Sequence, residues 1–147
     1  MAVKPVPDGF RTVTPYMMSG DPDRLITFLK DAFQAEVLYL MRQGDGKVLH
    51  AQVRIIDSMI MIGGADSHWP AEASSLYLYV EDSDRLFASA VAAGAQVIMP
   101  VADQIYGDRM GGVKDPTGNT WWISTHTEEV SEAEMARRFK ERATRGQ

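Results

Sequence analysis

Apolar residues recur with two different periods along this chain, and the switch between the periods happens twice. After Asp21, the residues Leu25, Phe28, Leu29, Ala32 and Phe33 fall on one face at helical spacing. Asp21 is placed to cap that helix and Pro22 suits its first position. After Asp82, the residues Leu86, Phe87, Ala90 and Val91 make a second stripe of the same kind, and Gly94 follows as its left-handed C-cap. Strand-like segments surround both helices. Thr12 to Ser19 precedes the first helix, and 35–42, 47–56 and 58–63 follow it. Ser75 to Val80 precedes the second, and 96–101, 108–114 and 119–125 follow it. Asp57-Ser58 and Asp115-Pro116-Thr117-Gly118-Asn119 are the turns that join the last two strands of each half, and residues 64–74 link the halves. Ser131 with Glu134 forms a capping box that opens a last helix, to about Ala143. Ala136, Phe139 and Ala143 give that helix a thin apolar edge, enough to dock on the outside or on a partner.

The two halves are copies. Asp21-Pro22-Asp23-Arg24-Leu25 returns as Asp82-Ser83-Asp84-Arg85-Leu86, 61 residues on, and Ala35-Glu36-Val37 returns as Ala95-Gln96-Val97, 60 residues on. A long period with two copies points to duplication of one supersecondary unit rather than to a solenoid. Each copy reads as strand, helix and three strands. The expectation is therefore an α+β chain of two βαβββ repeats, about 10–63 and 75–126. They share a single domain over 1–130, with 131–147 as a peripheral helix.

Composition narrows the partners. A length of 147 residues fits one domain with a real core. The net charge of −5 argues against nucleic acid, and the basic run from Arg137-Arg138 to Arg145, interrupted by Glu141, reads as a solvated helix face. The chain has no cysteine, so disulfides, thiolate nucleophiles and Cys-type zinc sites are excluded. Met1 to Pro7 has no apolar signal region and no apolar run approaches a membrane span, so a cytoplasmic protein without membrane partners is expected.

The two βαβββ halves, the stretch Asp115-Pro-Thr-Gly-Asn-Thr-Trp-Trp122, and Tyr106-Gly107-Asp108-Arg109 before it resemble the vicinal oxygen chelate superfamily. That superfamily includes glyoxalases, extradiol dioxygenases and bleomycin-resistance proteins. The resemblance is closest to its PhnB-like, glyoxalase/bleomycin-resistance-like branch, from about residue 10 onward. It implies a curled mixed sheet enclosing a cavity, with helices outside, and pairing of modules that makes a homodimer the expectation. It also implies where a divalent metal would be held, on the first and fourth strands of each half. Those positions fall on Thr14, Met61, Ser75 and Trp122. Thr, Met, Ser and Trp do not make a nitrogen/carboxylate site. No metal and no other cofactor is expected, and the metal-centred activities do not carry over.

Strand side chains alternate, so the same positions set which residues face the cavity. Thr14, Tyr16, Met18, Met59, Met61, Ser75, Tyr77, Tyr79, Thr120, Trp122 and Ser124 share that parity. If Asp57-Ser58 is a two-residue hairpin loop, Arg54 pairs with Met61, and His50, Gln52 and Arg54 face inward too. The opposite parity holds Ala51, Val53, Ile55, Ile60 and Ile62, an apolar set suited to the helices. The candidate ligand-binding set is Tyr16, Met18, His50, Gln52, Arg54, Met61, Tyr77, Tyr79 and Trp122, aromatic faces and thioethers with a few polar groups. His50 is the candidate acid–base group, supported by Gln52 and Arg54. His68 lies in the linker beside Trp69, and His126 follows the last strand as a structural residue. Adjacent strand residues point to opposite faces, so of Asp108 and Arg109 at most one enters the cavity. Copying parity from Val53 to Val113 selects Asp108, unless a bulge at Gly111-Gly112 reverses it. Three readings remain open. The first is a metal-free protein binding a planar or aromatic small molecule. The second is a metal-independent isomerase, lyase or hydrolase using His50, and the third is an interaction module whose cavity is filled and idle.

Overall fold

The computed structural model describes residues 2–146. The first unit runs through β1 (Tyr16–Ser19), α1 (Pro22–Phe33), β2 (Glu36–Arg42), β3 (Val48–Ile55) and β4 (Ser58–Gly64). The second runs through β5 (Ser75–Tyr79), α2 (Ser83–Ala92), β6 (Gln96–Asp103), β7 (Asp108–Lys114) and β8 (Thr120–His126). Helix α3 (Glu132–Thr144) follows. Each unit is a four-stranded mixed sheet, in the orders β1-β4-β3-β2 and β5-β8-β7-β6, with the first strand parallel to the fourth. The two βαβββ repeats thus form the expected α+β fold as two mixed sheets, not closed into a barrel, and β1 and β5 each end a sheet.

Both repeat helices start as their sequences dictate. Asp21 accepts from the Arg24 backbone N–H at 3.2 Å, and Asp82 accepts from that of Arg85 at 3.1 Å. They end differently. Gln34 closes α1 at φ 55°, ψ 36°, a conformation that costs a residue with a Cβ. In the second unit the corresponding left-handed position is Gly94, at φ +107°. Leu25, Phe28, Leu29, Ala32 and Phe33 of α1 are buried against Ala51, Val53, Ile55, Ile60 and Ile62, the helix-facing parity of β3 and β4. Phe33 also meets Trp121 of the second unit, ring centroids 5.2 Å apart, so the two units share one core.

Three local expectations need correction. Thr14 is not on a strand: β1 begins at Tyr16, and the Thr14 hydroxyl donates to the Arg11 carbonyl at 3.0 Å in the preceding turn. The β3–β4 loop is Ile56-Asp57, because Ile55 pairs with Ser58, so Arg54 faces Met59 and not Met61. The slip is two residues in pairing, an even number, so every side chain keeps its face. The possible bulge at Gly111-Gly112 does not form: β7 pairs with β8 in unbroken register, and the irregularities lie between β6 and β7.

The Asp115–Asn119 turn is a knot of hydrogen bonds. Asp115 accepts from the backbone N–H of Thr117 (2.7 Å), the Thr117 hydroxyl (2.8 Å), the Asn119 amide (3.1 Å) and Trp121 Nε1 (2.7 Å). Asn119 in turn accepts from Ser74 N at 2.9 Å, which fixes where β5 begins beside β8. The Asp115–Asn119 part of the motif is thus structural in this chain, because its side-chain polar atoms are used to build the turn and to seat Trp121 and the start of β5. Helix α3 buries no residue. It is held by Arg138, which donates to the Ile105 carbonyl at 3.0 Å and pairs with Glu128 and Glu134.

Candidate functional site

A cleft of about 710 Å³ runs between the two units along the end strands β1 and β5. Pro15, Tyr16 and Met17 form one wall, with Asp57 and Met59 at the start of β4. Ser75, Tyr77 and Tyr79 form the other. Residues of both parities from β5 line it, so the strand presents its edge as well as its face to the cleft. Arg11 and Asp57 bring opposite charges to its lining.

Of the sequence-predicted residues, Tyr16, Tyr77 and Tyr79 line this cleft; Met18, His50, Gln52, Arg54, Met61 and Trp122 do not. The latter lie on the same strand faces, farther from the cleft. Tyr16 pairs with Met61, Met18 with Gly63, and His50 with Gly63 from the other side. Gly63 leaves the room that Tyr16 and Met18 occupy: a Cβ there would come within 2.7 Å of both side chains. The His50 ring sits between Tyr16 (centroids 5.9 Å apart) and Tyr39 (6.3 Å). Arg54, expected to support His50, is paired with Glu36 instead. On the second sheet Trp122 lies beside Tyr77 and over Gly112, where a Cβ would meet the indole ring at 2.5 Å. Its Nε1–H donates to Ser75 Oγ at 3.1 Å.

This arrangement does not fit the divalent metal that the fold family uses. The Ser75 hydroxyl already receives the Trp122 N–H, an indole N–H is a donor only, Met61 offers a soft thioether, and Thr14 is off the strand. Among the described residues, no three His, Asp or Glu side chains are grouped to hold a metal.

The second sheet carries a polar network that includes residues left unassigned by sequence. Asp108 opens β7, faces inward and is buried. One of its oxygens accepts from Tyr77 (2.7 Å) and Tyr79 (3.1 Å), and the other lies 2.8 Å from His126 Nδ1. His126 Nε2 reaches Glu129 at 3.1 Å. Ser124, fully buried, sets its hydroxyl beside Tyr77 and Asp108. Burial alone would raise the Asp108 carboxyl, but the hydrogen bonds from His126, Tyr77 and Tyr79 outweigh it and hold the group below the usual carboxylate range. The Asp108 contact, and then Glu129, raise the His126 imidazole above its ordinary value. Burial, chiefly, raises both phenols, which stay protonated. Arg109 points the opposite way and clamps Asp84 of α2 through Nε (2.8 Å) and Nη2 (3.1 Å).

With the fold and the cleft described, comparison with known proteins places the chain. Residues 12–123 match the family described as Glyoxalase/Bleomycin resistance protein/Dioxygenase superfamily, and the chain belongs to it. An uncharacterized protein of Mycobacterium bovis is 32% identical over 134 residues, 84% of this chain and 88% of that one. Among solved structures, TioX from Micromonospora sp. ML1 is similar with a TM-score of 0.68 and 23% identity, over 79% of this chain and 98% of that one. TnmS3, an antibiotic binding protein from Streptomyces sp. CB03234, gives 0.62 and 18%, over 86% and 99%. The PhnB protein from Bacillus cereus gives 0.60 and 18%, over 78% and 99%, so the PhnB branch is one neighbour among several. At these identities the solved structures establish the shared fold.

Proposed function

We propose that this chain binds a planar, partly apolar small molecule in the cleft between its two units, without a resident divalent metal. The observation that carries this reading is the cleft itself. Its volume of about 710 Å³ suits a drug-sized ligand, and Tyr16, Tyr77 and Tyr79 bring aromatic faces to it from both sides. Stacking on such rings adds about 0.5–1.5 kcal/mol per pair beyond burial. Trp122 belongs to the same reading through Ser75, which lines the cleft and receives the indole N–H. That a neighbour of this fold is an antibiotic binding protein supports the binding of a small molecule.

The test is tryptophan fluorescence quenching with a panel of planar heterocycles, on protein dialysed against a chelator. Several members should bind; Tyr77→Ala should weaken binding by roughly tenfold, about 1.4 kcal/mol, the scale of one lost ring contact, and Trp122→Ala, which removes the indole behind Ser75 and not a cleft wall, should weaken it by less. Binding that needs added metal, or affinities unchanged in both variants, contradicts the reading.

A homodimer is part of this proposal. Strand β2 ends its sheet and leaves Leu38, Tyr39, Leu40 and Met41 exposed, an apolar edge of the kind that proteins usually cover. Light scattering at tens of micromolar should return twice the chain mass; a monomer would remove this part.

A further inference from the structure

We infer that the inward face of the second sheet is a cation subsite, formed by Tyr77 and Tyr79 with the buried Asp108, and that His126 sets its charge. The inference rests on the cleft being the ligand site and names the class of ligand: planar molecules that carry a positive charge, such as a quaternary or protonated ring nitrogen.

The geometry supports this in three ways. First, the two tyrosine rings lie together, centroids 5.0 Å apart at 50°, and remain accessible, Tyr77 at 40% and Tyr79 at 65% exposure. Ring faces carry the negative part of the aromatic quadrupole and attract cations. Second, both phenols donate to one oxygen of the same carboxylate. Donation to an anion moves electron density onto the phenol, so the rings and their oxygens become better partners for positive charge. The O–H protons are spent on Asp108, which leaves the phenol oxygens as acceptors for a ligand N–H. Third, Asp108 is 3% exposed and the fully buried Ser124 hydroxyl packs against it, so solvent screens the charge of the carboxylate little.

The charge beside the rings depends on proton occupancy at one place. The groups facing His126 are Asp108 of β7 and Glu129 beyond β8, and those facing Asp108 are Tyr77 and Tyr79 of β5 with Ser124 of β8. Tyr106, in the β6–β7 loop, is also near the tyrosine pair. Of these, His126 is the group of a type that changes charge near neutral pH, while its bonds hold Asp108 ionised and burial holds Tyr77 and Tyr79 protonated. Imidazolium beside Asp108 makes the pair neutral. Loss of that proton leaves the pair with one net negative charge at the hydroxyl ends of the two rings. Affinity for a cation should therefore rise as pH passes upward through the histidine's folded pKa, which lies above its ordinary value. Affinity for a neutral ring should not follow.

The experiment uses the full chain and two probes of one shape, N-methylquinolinium, permanently charged, and 1-methylnaphthalene, neutral at every pH. Each is titrated calorimetrically at about pH 8.5 and about pH 5.5, on either side of an imidazole transition. At the higher pH the cation should bind about tenfold tighter than 1-methylnaphthalene, the scale of a partly desolvated cation–π contact. At the lower pH that preference should fall to less than about threefold, as the imidazolium neutralises Asp108. His126→Gln keeps a hydrogen bond to Asp108 without the charge, and should hold the tenfold preference at both pH values. Asp108→Asn should abolish it at both. If that variant does not fold, Tyr77→Phe with Tyr79→Phe decides, because it keeps the rings and removes their coupling to the carboxylate; it too should lose the preference. Equal affinity for both probes in the parent overturns the inference and leaves the cleft reading standing. Failure of both probes to bind overturns both readings. A cation preference that survives in Asp108→Asn or in the double tyrosine variant, or that ignores pH, also overturns it.

Discussion

The first βαβββ unit buries seven residues of its helix, and the second buries two, although both helices begin with the same Asp cap and the same Arg-Leu pair. In α1 the buried set includes Leu25, Phe28, Leu29 and Phe33. In α2 it is Ser83 and Ala90, with Leu86 and Phe87 only half-buried. The inward faces differ in the opposite sense. The first sheet offers Tyr16, Met18, Met61 and a histidine between two tyrosines, whereas the second offers a hydrogen-bonded network centred on Asp108. Duplication thus supplied one unit that carries most of the packing and another that carries most of the polar chemistry. The second unit compensates with directional bonds, above all the Asp115 turn and the fully buried Trp121 that it holds.

Paired core truncations test this division most strongly. Leu25→Ala should cost about 3 kcal/mol, since a fully buried leucine is lost with its cavity left behind. Leu86→Ala, at the corresponding place on α2, should cost about 1 kcal/mol, because part of that side chain is already in water. Urea unfolding of both variants measures the difference, and equal losses would mean that the two halves share the stability evenly.

Much of this architecture is legible in the chain. The 61-residue repeat locates both helices and all three strands after each of them to within a residue or two, because hydrophobic period and capping residues agree there. The first strand is harder to read: Thr12 to Pro15 alternates like a strand, yet Thr14 closes a turn with Arg11 and pairing starts only at Tyr16. The β3–β4 loop is misjudged because Ile56 holds φ 54°, a conformation that a β-branched residue rarely adopts. The even slip protects the face assignment, which is why Gln52 and His50 still lie on the inward side.

The Asp108–His126 pair shows a signal that was present and unused. With Asp115–Asn119 as a five-residue turn, Lys114 faces Thr120, and each step back along β7 is a step forward along β8. Six steps bring Asp108 opposite His126. Parity alone ranks Asp108 inward, and register adds its partner. What no sequence pattern shows is that Tyr77 and Tyr79 would reach the same carboxylate, since that depends on how far the side chains lean across β8 between them. The cleft is likewise a tertiary feature. It exists because β1 and β5 end separate sheets, whereas strand patterns fit one continuous sheet equally well.

In the proposed function, one ligand site lies between the two units and draws on both. Backbone amide NMR of the labelled protein, titrated with a planar heterocycle that quenches its fluorescence, tests this most directly. The account predicts shifts at Tyr16 and Met17 on one wall and at Ser75, Tyr77 and Tyr79 on the other, moving together with one dissociation constant. Shifts confined to one unit, or centred away from β1 and β5, would contradict it.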